Sequence, residues 1–179
     1  MEFMELVESR RSIRAYKAGT TVEQSALEEM IKCAQQAPTW KNSQTGRYYV
    51  VTTPEKLAAV RANCLPQFNQ DNCKDAPVLI VTTFEKNRSG FNREGVADNE
   101  IGNEWGAYDL GLQNALMLLK ATELGLDTLV MGIRDGQALR QELSIPDSQE
   151  VVSVIAVGCR DIDPEKPKRK ELEKVATFF

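Results

Sequence analysis

The stretch DLGLQNALMLLKATELGLDTLVMG, residues 109–132, carries a helix, its stop and a strand in one run. Leu112, Ala115, Leu116 and Leu119 recur at helical spacing and predict an apolar stripe along one face. Gly125 is the residue type that ends a helix in a left-handed cap. Residues 127–131 then read as a short strand that closes on Gly132. The same alternation extends in both directions. Upstream, Thr21-Val22-Glu23-Gln24 forms a candidate capping box, followed by Leu27, Met30, Ile31 and Ala34 on one helical face, with Pro38 as the stop. Residues 48–52 read as a strand, and Thr53-Pro54 opens another helix with Thr as cap and Pro at the first helical position. Residues 77–84 are a second strand rich in β-branched side chains. Residues 138–143 predict a short helix and 151–157 a last strand, and a short apolar-patterned helix with Phe3, Leu6 and Val7 opens the chain. Strands alternating with helices give an α+β class: a central mixed sheet flanked by helices. The expectation is a single domain over residues 1–179, with 160–179 as a C-terminal extension.

Composition narrows the chemistry. The chain has 179 residues, 42% of them hydrophobic, and no histidine. A length of this order supports a core without disulfides or metals. Without an imidazole, Ser-His-Asp and Cys-His nucleophile systems, H-E-x-x-H zinc helices and Cys-His zinc fingers are all excluded. Proton transfer near neutral pH then falls to a tuned carboxylate, lysine, tyrosine or cysteine, or to a cofactor. The balance of 22 Lys+Arg against 26 Asp+Glu, a net charge of −4, argues against nucleic acid as a partner. Cysteines at 33, 64, 73 and 159 have no metal or C-x-x-C spacing and read as reduced, mostly buried thiols of a cytoplasmic protein. Residues 1–11 place acids where a secretory leader needs bases. The most apolar runs, 77–81 and 151–157, are too short to span a bilayer, so no membrane partner is expected.

Four patches hold polar groups dense enough for ligand chemistry. Arg10-Arg11-Ser12-Ile13-Arg14 puts three guanidiniums within five residues. An arginine about 4 Å from a phosphate charge gains ~4 kcal/mol before desolvation at an effective dielectric of ~20, and its fork suits phosphate oxygens. The alternative is a solvated helix end complementing the helix dipole. Ala37-Pro38-Thr39-Trp40-Lys41-Asn42-Ser43-Gln44 is a loop of amides and hydroxyls around one large aromatic, matched either to a heterocycle edge or to an ordinary polar connection. Gly132, at a strand end, allows close approach of a planar ligand to the backbone, or is a simple strand exit. Lys166-Pro167-Lys168-Arg169-Lys170 is a basic run, either a solvated tail or a second set of phosphate ligands. The long polar segment 85–104 is expected to be functional or disordered, with Glu94, Asp98, Glu100 and Glu104 on its solvated surface. Trp105 and Tyr108 are further pocket candidates, although core packing is the simpler reading of each.

Taken in order, these patches resemble the nitroreductase family of FMN-dependent oxidoreductases over nearly the whole chain. The resemblance runs through residues 5–14, close to the family's opening Arg-Arg-Ser-x-Arg, and through 37–44, similar to its Ala-Pro-Ser-x-x-Asn-x-Gln. It continues through Asn69-Gln70 before Asp75-Ala76-Pro77, the helix at 109–126 and the basic-x-Leu-Glu signature at 168–173. The resemblance implies the nitroreductase fold and a homodimer with FMN at the interface. Arg10, Ser12 and Arg169 would hold the phosphate and ribityl chain, with Lys168 as a weaker ligand and Arg11 among the cofactor-binding residues; Arg14 and Asn69 would meet the pyrimidine edge. Met131 and Gly132 would lie beside N5, and Pro38, Thr39, Trp40, Asn42 and Gln44 would complete the site, the loop coming from the partner subunit. Implied too are NADH or NADPH as donor and a nitroaromatic, quinone or activated alkene as acceptor, in a ping-pong scheme with no side-chain catalyst. Relatives with other chemistry (dehalogenation, flavin reduction) and a non-catalytic nucleotide- or anion-binding module are the alternatives. Thr45-Gly46 stands where the family often has Pro-Trp, and Trp40 where it often has a small residue.

Overall fold

A computed structural model describes residues 2–179. Ten main elements follow in order: α1 (Phe3–Ser9), α2 (Gln24–Ala34), β1 (Gly46–Val51), α3 (Pro54–Cys64), α4 (Gln67–Asn72), β2 (Val78–Glu85), α5 (Glu104–Glu123), β3 (Asp127–Met131), α6 (Gly136–Leu143) and β4 (Gln149–Gly158). The four strands form one sheet in the order β1-β2-β4-β3. Every neighbouring pair of these strands is antiparallel. The parallel component is a single bridge, Ser12 to Thr128, at the β3 edge.

The sheet is sandwiched, and its alternating residues show it. Leu79, Val81, Val154 and Ala156 point to a core with Leu57, Val60 and Leu139 of α3 and α6. Val78, Ile80, Ile155 and Val157 point the other way, against Leu27, Met30 and Met117 of α2 and α5. Burial on both faces explains why β2 reads as an unbroken β-branched run instead of an alternating one, and each such side chain contributes about 1.5–3 kcal/mol. The predicted face of α2 is confirmed, with Leu27, Met30 and Ala34 buried and Ile31 partly so. Its predicted capping box is not formed: the helix starts at Gln24 with Glu23 as N-cap, and no side chain caps it.

Helix α5 differs from its expected phase. Its buried face is Gly106, Asp109, Leu110, Gln113, Asn114, Met117 and Ala121. The stripe of Leu112, Ala115, Leu116 and Leu119 is half-buried or exposed. The helix is apolar on two sides, and the sheet covers the one that also carries polar groups. Gly125 caps it as predicted, at φ 75°, with its N–H on Thr122 and the Leu126 N–H on Ala121. Beyond β4, Arg160 is locked to Asp127 through its backbone N–H at 2.9 Å and its guanidinium at 2.7 and 2.9 Å, which ties the start of β3 to the end of β4.

Candidate functional site

The two ends of the chain meet at one corner. Arg10, at the C-terminus of α1, lines a cavity of about 530 Å³ with Lys166 and Arg169; Leu118 and Leu119 of α5 form its apolar wall. Burial, then the charges of Arg169 and Arg11, push the Arg10 pKa below its usual value. Among the described residues Lys166 has Glu8 as a partner at 3.2 Å, whereas neither Arg10 nor Arg169 is ion-paired. Glu8, the one acid of the lining, is taken by Lys166, so the two guanidiniums outnumber the carboxylate left to them and an anion would stabilise the site. Arg11 has a different task. Its guanidinium donates to the Glu8 and Arg10 carbonyls, completing the α1 C-terminus as the dipole argument allows. Lys168 is exposed on the tail, and Arg169 also donates to the Pro167 carbonyl at 3.0 Å.

The chain then crosses to the sheet. Ser12 bridges Thr128, the Ile13 N–H bonds the Thr128 carbonyl at 3.0 Å, and Ile13 is fully buried, so the arginine cluster is pinned along β3. Arg14 is exposed, with a long 3.4 Å contact to the Ser12 carbonyl. At the far end of β3, Met131 is buried and Gly132 is exposed. Space around Gly132 is open, with no atom within 4 Å of where a Cβ would sit. Asn69 of α4 is buried and donates its amide to the Ile133 carbonyl at 2.9 Å, which fixes the strand exit. Helix α4 was not expected from the sequence; it brings Asn69 to Gly132 across 63 residues.

The Pro38–Gln44 loop is built elsewhere, and more elaborately. Lys41, Asn42 and Gln44 all take positive φ, at 47, 54 and 49°. Such conformations are uncommon for side-chain-bearing residues and persist when surrounding bonds over-determine them. Here Thr39 Oγ1 accepts the Gln44 N–H at 3.1 Å, and Asp109 accepts the Trp40 N–H at 2.9 Å. Ser89 donates to Asp109 at 2.7 Å and contacts the Ser43 hydroxyl at 2.7 Å and the Thr45 hydroxyl at 3.3 Å. Trp40 packs on Trp105 with 4.7 Å between centroids, and Trp105 meets Tyr108 edge-on at 5.4 Å. Pro38 and Asn42 are exposed.

Sequence reasoning missed Asp109 and Ser89. Asp109 shares a buried helical phase with Gln113, Met117 and Ala121, but an apolar-stripe search discards a face that opens with two polar residues. Ser89 carried no signal at all inside a long polar loop.

The structure joins the first two groups and leaves the third apart. Thr128 lies in register with Val157 and hence Val78, whereas Gly46, beside the Pro38–Gln44 loop, pairs with Phe84. Six residues along β2 are roughly 20 Å, and the three spacings from β3 to β1 add about 14 Å across the sheet. Arg10, Ser12, Asn69 and Gly132 therefore line one edge, and Thr39, Trp40 and Asn42 the opposite corner.

The model of the nitroreductase family matches residues 7–70 and 62–159, together spanning both groups up to the tail. The chain belongs to the nitroreductase family. Among relatives of this nitroreductase family member, the proposed NAD(P)H nitroreductase YdgI of Bacillus subtilis is 24% identical, covering 88% of each chain. A crystal structure of a nitroreductase family protein from Clostridium difficile superposes with a TM-score of 0.81 at 27% identity, covering 99% of this chain and 98% of the other. A proposed nitroreductase of Exiguobacterium sibiricum, solved in complex with FMN, has the same fold with a TM-score of 0.83 at 21% identity, covering 100% and 98%.

Proposed function

We propose that this nitroreductase family member is an FMN-dependent oxidoreductase that takes hydride from NAD(P)H and reduces a nitroaromatic, a quinone or an activated alkene in turn at the same pocket. One observation carries the proposal: Arg10 and Arg169, from opposite ends of the chain, line one cavity whose single acid, Glu8, is paired with Lys166, and the Arg169 charge disfavours that of Arg10. A flavin phosphate supplies the missing anion. The FMN complex of the Exiguobacterium sibiricum neighbour supports the choice of flavin, and the name of YdgI supports a nicotinamide donor.

The residues along this edge fit the group. Arg10 and Arg169 bind phosphate, Lys168 adds long-range attraction, and Ser12 offers a hydroxyl to the ribityl chain. Arg14 would supply a cation, and Asn69 a donor, at the pyrimidine edge, where reduction builds negative charge. Gly132 leaves the strand exit open to a flat ring. Bound FMN supplies hydride acceptance and donation at N5, and the protein supplies binding and electrostatics. With no histidine in the chain, protons come from water or substrate. Pro38, Thr39, Trp40, Asn42 and Gln44 cannot join this set within one subunit, so they complete the flavin site of a second subunit in a homodimer. The half-buried stripe of Leu112, Leu116 and Leu119, continued by the exposed Phe3, Met4 and Val7 of α1, is the apolar face for that association.

The test is direct. Purified protein is expected to be yellow, to bleach anaerobically with NADH or NADPH, and to recover colour on adding a nitroaromatic. Colourless protein that takes up no FMN would overturn the proposal.

A further inference from the structure

The segment between β2 and α5 turns out to be ordered. The Asp98 N–H bonds the Gly90 carbonyl at 2.8 Å, the Asn92 N–H bonds the Val96 carbonyl at 2.9 Å, and Phe91 bridges Ala97, so residues 90–98 form a small hairpin. Asn92 Oδ1 accepts from the N–H groups of Glu94 and Val96, and the side chains of Asn87 and Asn103 bond each other at 2.9 Å. Together with Lys41, this hairpin encloses a groove of about 590 Å³.

The charge of that groove opposes the charge of the molecule. The chain carries a net −4, yet the groove is lined by Lys41, Arg88 and Arg93 against one acid, Glu94. Lys41 is paired with Asp98 at 2.8 Å and lies 5.6 Å from the Trp40 ring centroid. Arg88 and Arg93 are exposed, and no acid among the described residues pairs with either. Phe91 adds a half-buried aromatic ring to the same lining. Two unpaired guanidiniums beside an aromatic ring suit a planar base attached to a phosphate: the fork binds oxygens bidentately, and the ring stacks. Concave placement concentrates the local positive field.

We propose that the groove between Lys41 and the 90–98 hairpin binds the adenosine 2′-phosphate end of NADPH, making Arg88 and Arg93 the residues that select NADPH over NADH. This rests on the flavin reading above, because Lys41 follows Trp40 in the loop assigned to the shared pocket. The groove is thus next to the place where the nicotinamide end would work, on the same subunit as that loop.

Trp40 and Trp105 are the chain's two tryptophans, and they pack on each other at a tilt next to Lys41, so intrinsic fluorescence reports on this region. Protein as purified is titrated with adenosine 2′,5′-bisphosphate and with adenosine 5′-monophosphate, which differ only in the 2′-phosphate. The bisphosphate is expected to bind at least about tenfold more tightly, as charge-assisted bidentate bonds imply, and the difference is expected to collapse in Arg88→Ala/Arg93→Ala. The ratio of kcat/KM for NADPH over NADH should fall toward unity in the same variant. Equal affinity for the two nucleotides, or a preference lost in Arg10→Ala but kept in Arg88→Ala/Arg93→Ala, would overturn the assignment. Because the titration needs no flavin, colourless protein that still discriminates would support the groove while failing the flavin reading. Yellow, active protein indifferent to the 2′-phosphate would fail the groove alone.

Discussion

Asp109 is a carboxylate at 3% exposure with no cationic partner among the described residues, and its two donors come from parts of the chain far apart in sequence. It accepts the Trp40 N–H and the Ser89 hydroxyl, so one side chain holds both loops at the aromatic corner. Asp109→Ala strands a buried N–H and is expected to lower the unfolding free energy by roughly 1–3 kcal/mol in urea denaturation. Asp109→Asn should lose less, because both bonds end on one carboxylate oxygen, Oδ2, and the amide oxygen can take its place. Arg10 and Arg169 make a second residue-scale case. Arg10→Ala and Arg169→Ala should each weaken FMN retention far more than Lys86→Ala, measured as flavin absorbance after dialysis. Equal retention in all three would remove the phosphate assignment. The arginine cluster was legible as a possible anion site, but its division of labour was not: Arg11 folds back to cap α1 while Arg10 faces the cavity, and the extended turn at the Arg10 C-cap decides which guanidinium is free.

At the scale of the element, α5 decides how much of the molecule one subunit can bury. Its sequence shows leucines all round, and a periodicity search picks the stripe with most of them. The sheet instead receives the face with small residues, because Gly106 lets the helix approach the buried ring of Phe84: a Cβ there would lie 2.2 Å from that ring. Gly106→Ala should therefore overpack the contact and cost about 1–3 kcal/mol, seen as a lower thermal midpoint. The outward stripe makes a separate prediction. Leu116→Glu places a charge in the proposed subunit interface and should convert a dimer to a monomer in size-exclusion chromatography. Flavin should be lost with it, since Trp40 and Asn42 would no longer reach the partner's site. A dimer that survives this change would place the interface elsewhere. Strand and helix identities were readable because period 2 and period 3.6 are local properties; which face turns inward depends on what lies across from it.

For the molecule as a whole, the sheet buried on both sides stores titratable groups that must stay neutral. Burial pushes the Tyr48 phenol from 10.0 up to about 12. Burial, then the charges of Glu142 and Asp135, push the Cys64 thiol from 9.0 up to about 11. In the unfolded chain both groups release protons at lower pH than in the fold, so their stabilising contribution is complete below about pH 9 and is lost as pH rises toward 11 to 12. Urea midpoints should fall between pH 9 and 11, and less steeply in Tyr48→Phe; a flat profile would contradict the assignment. The absence of histidine, the alternation of strands and helices, the Gly125 stop and the motif order that resembles the nitroreductases were all determined by the sequence alone. They depend on residue identity and on spacing within a turn or a strand. Only the tertiary structure decided that Arg10, and not Arg11, faces the cavity of Arg169, that Asn69 secures the exit of β3, that Asp109 pins the Trp40 loop, and that this loop lies at the corner opposite the arginines. Those are contacts between residues tens to hundreds of positions apart, and they exist only once a sheet of fixed register has set the distance between its edges.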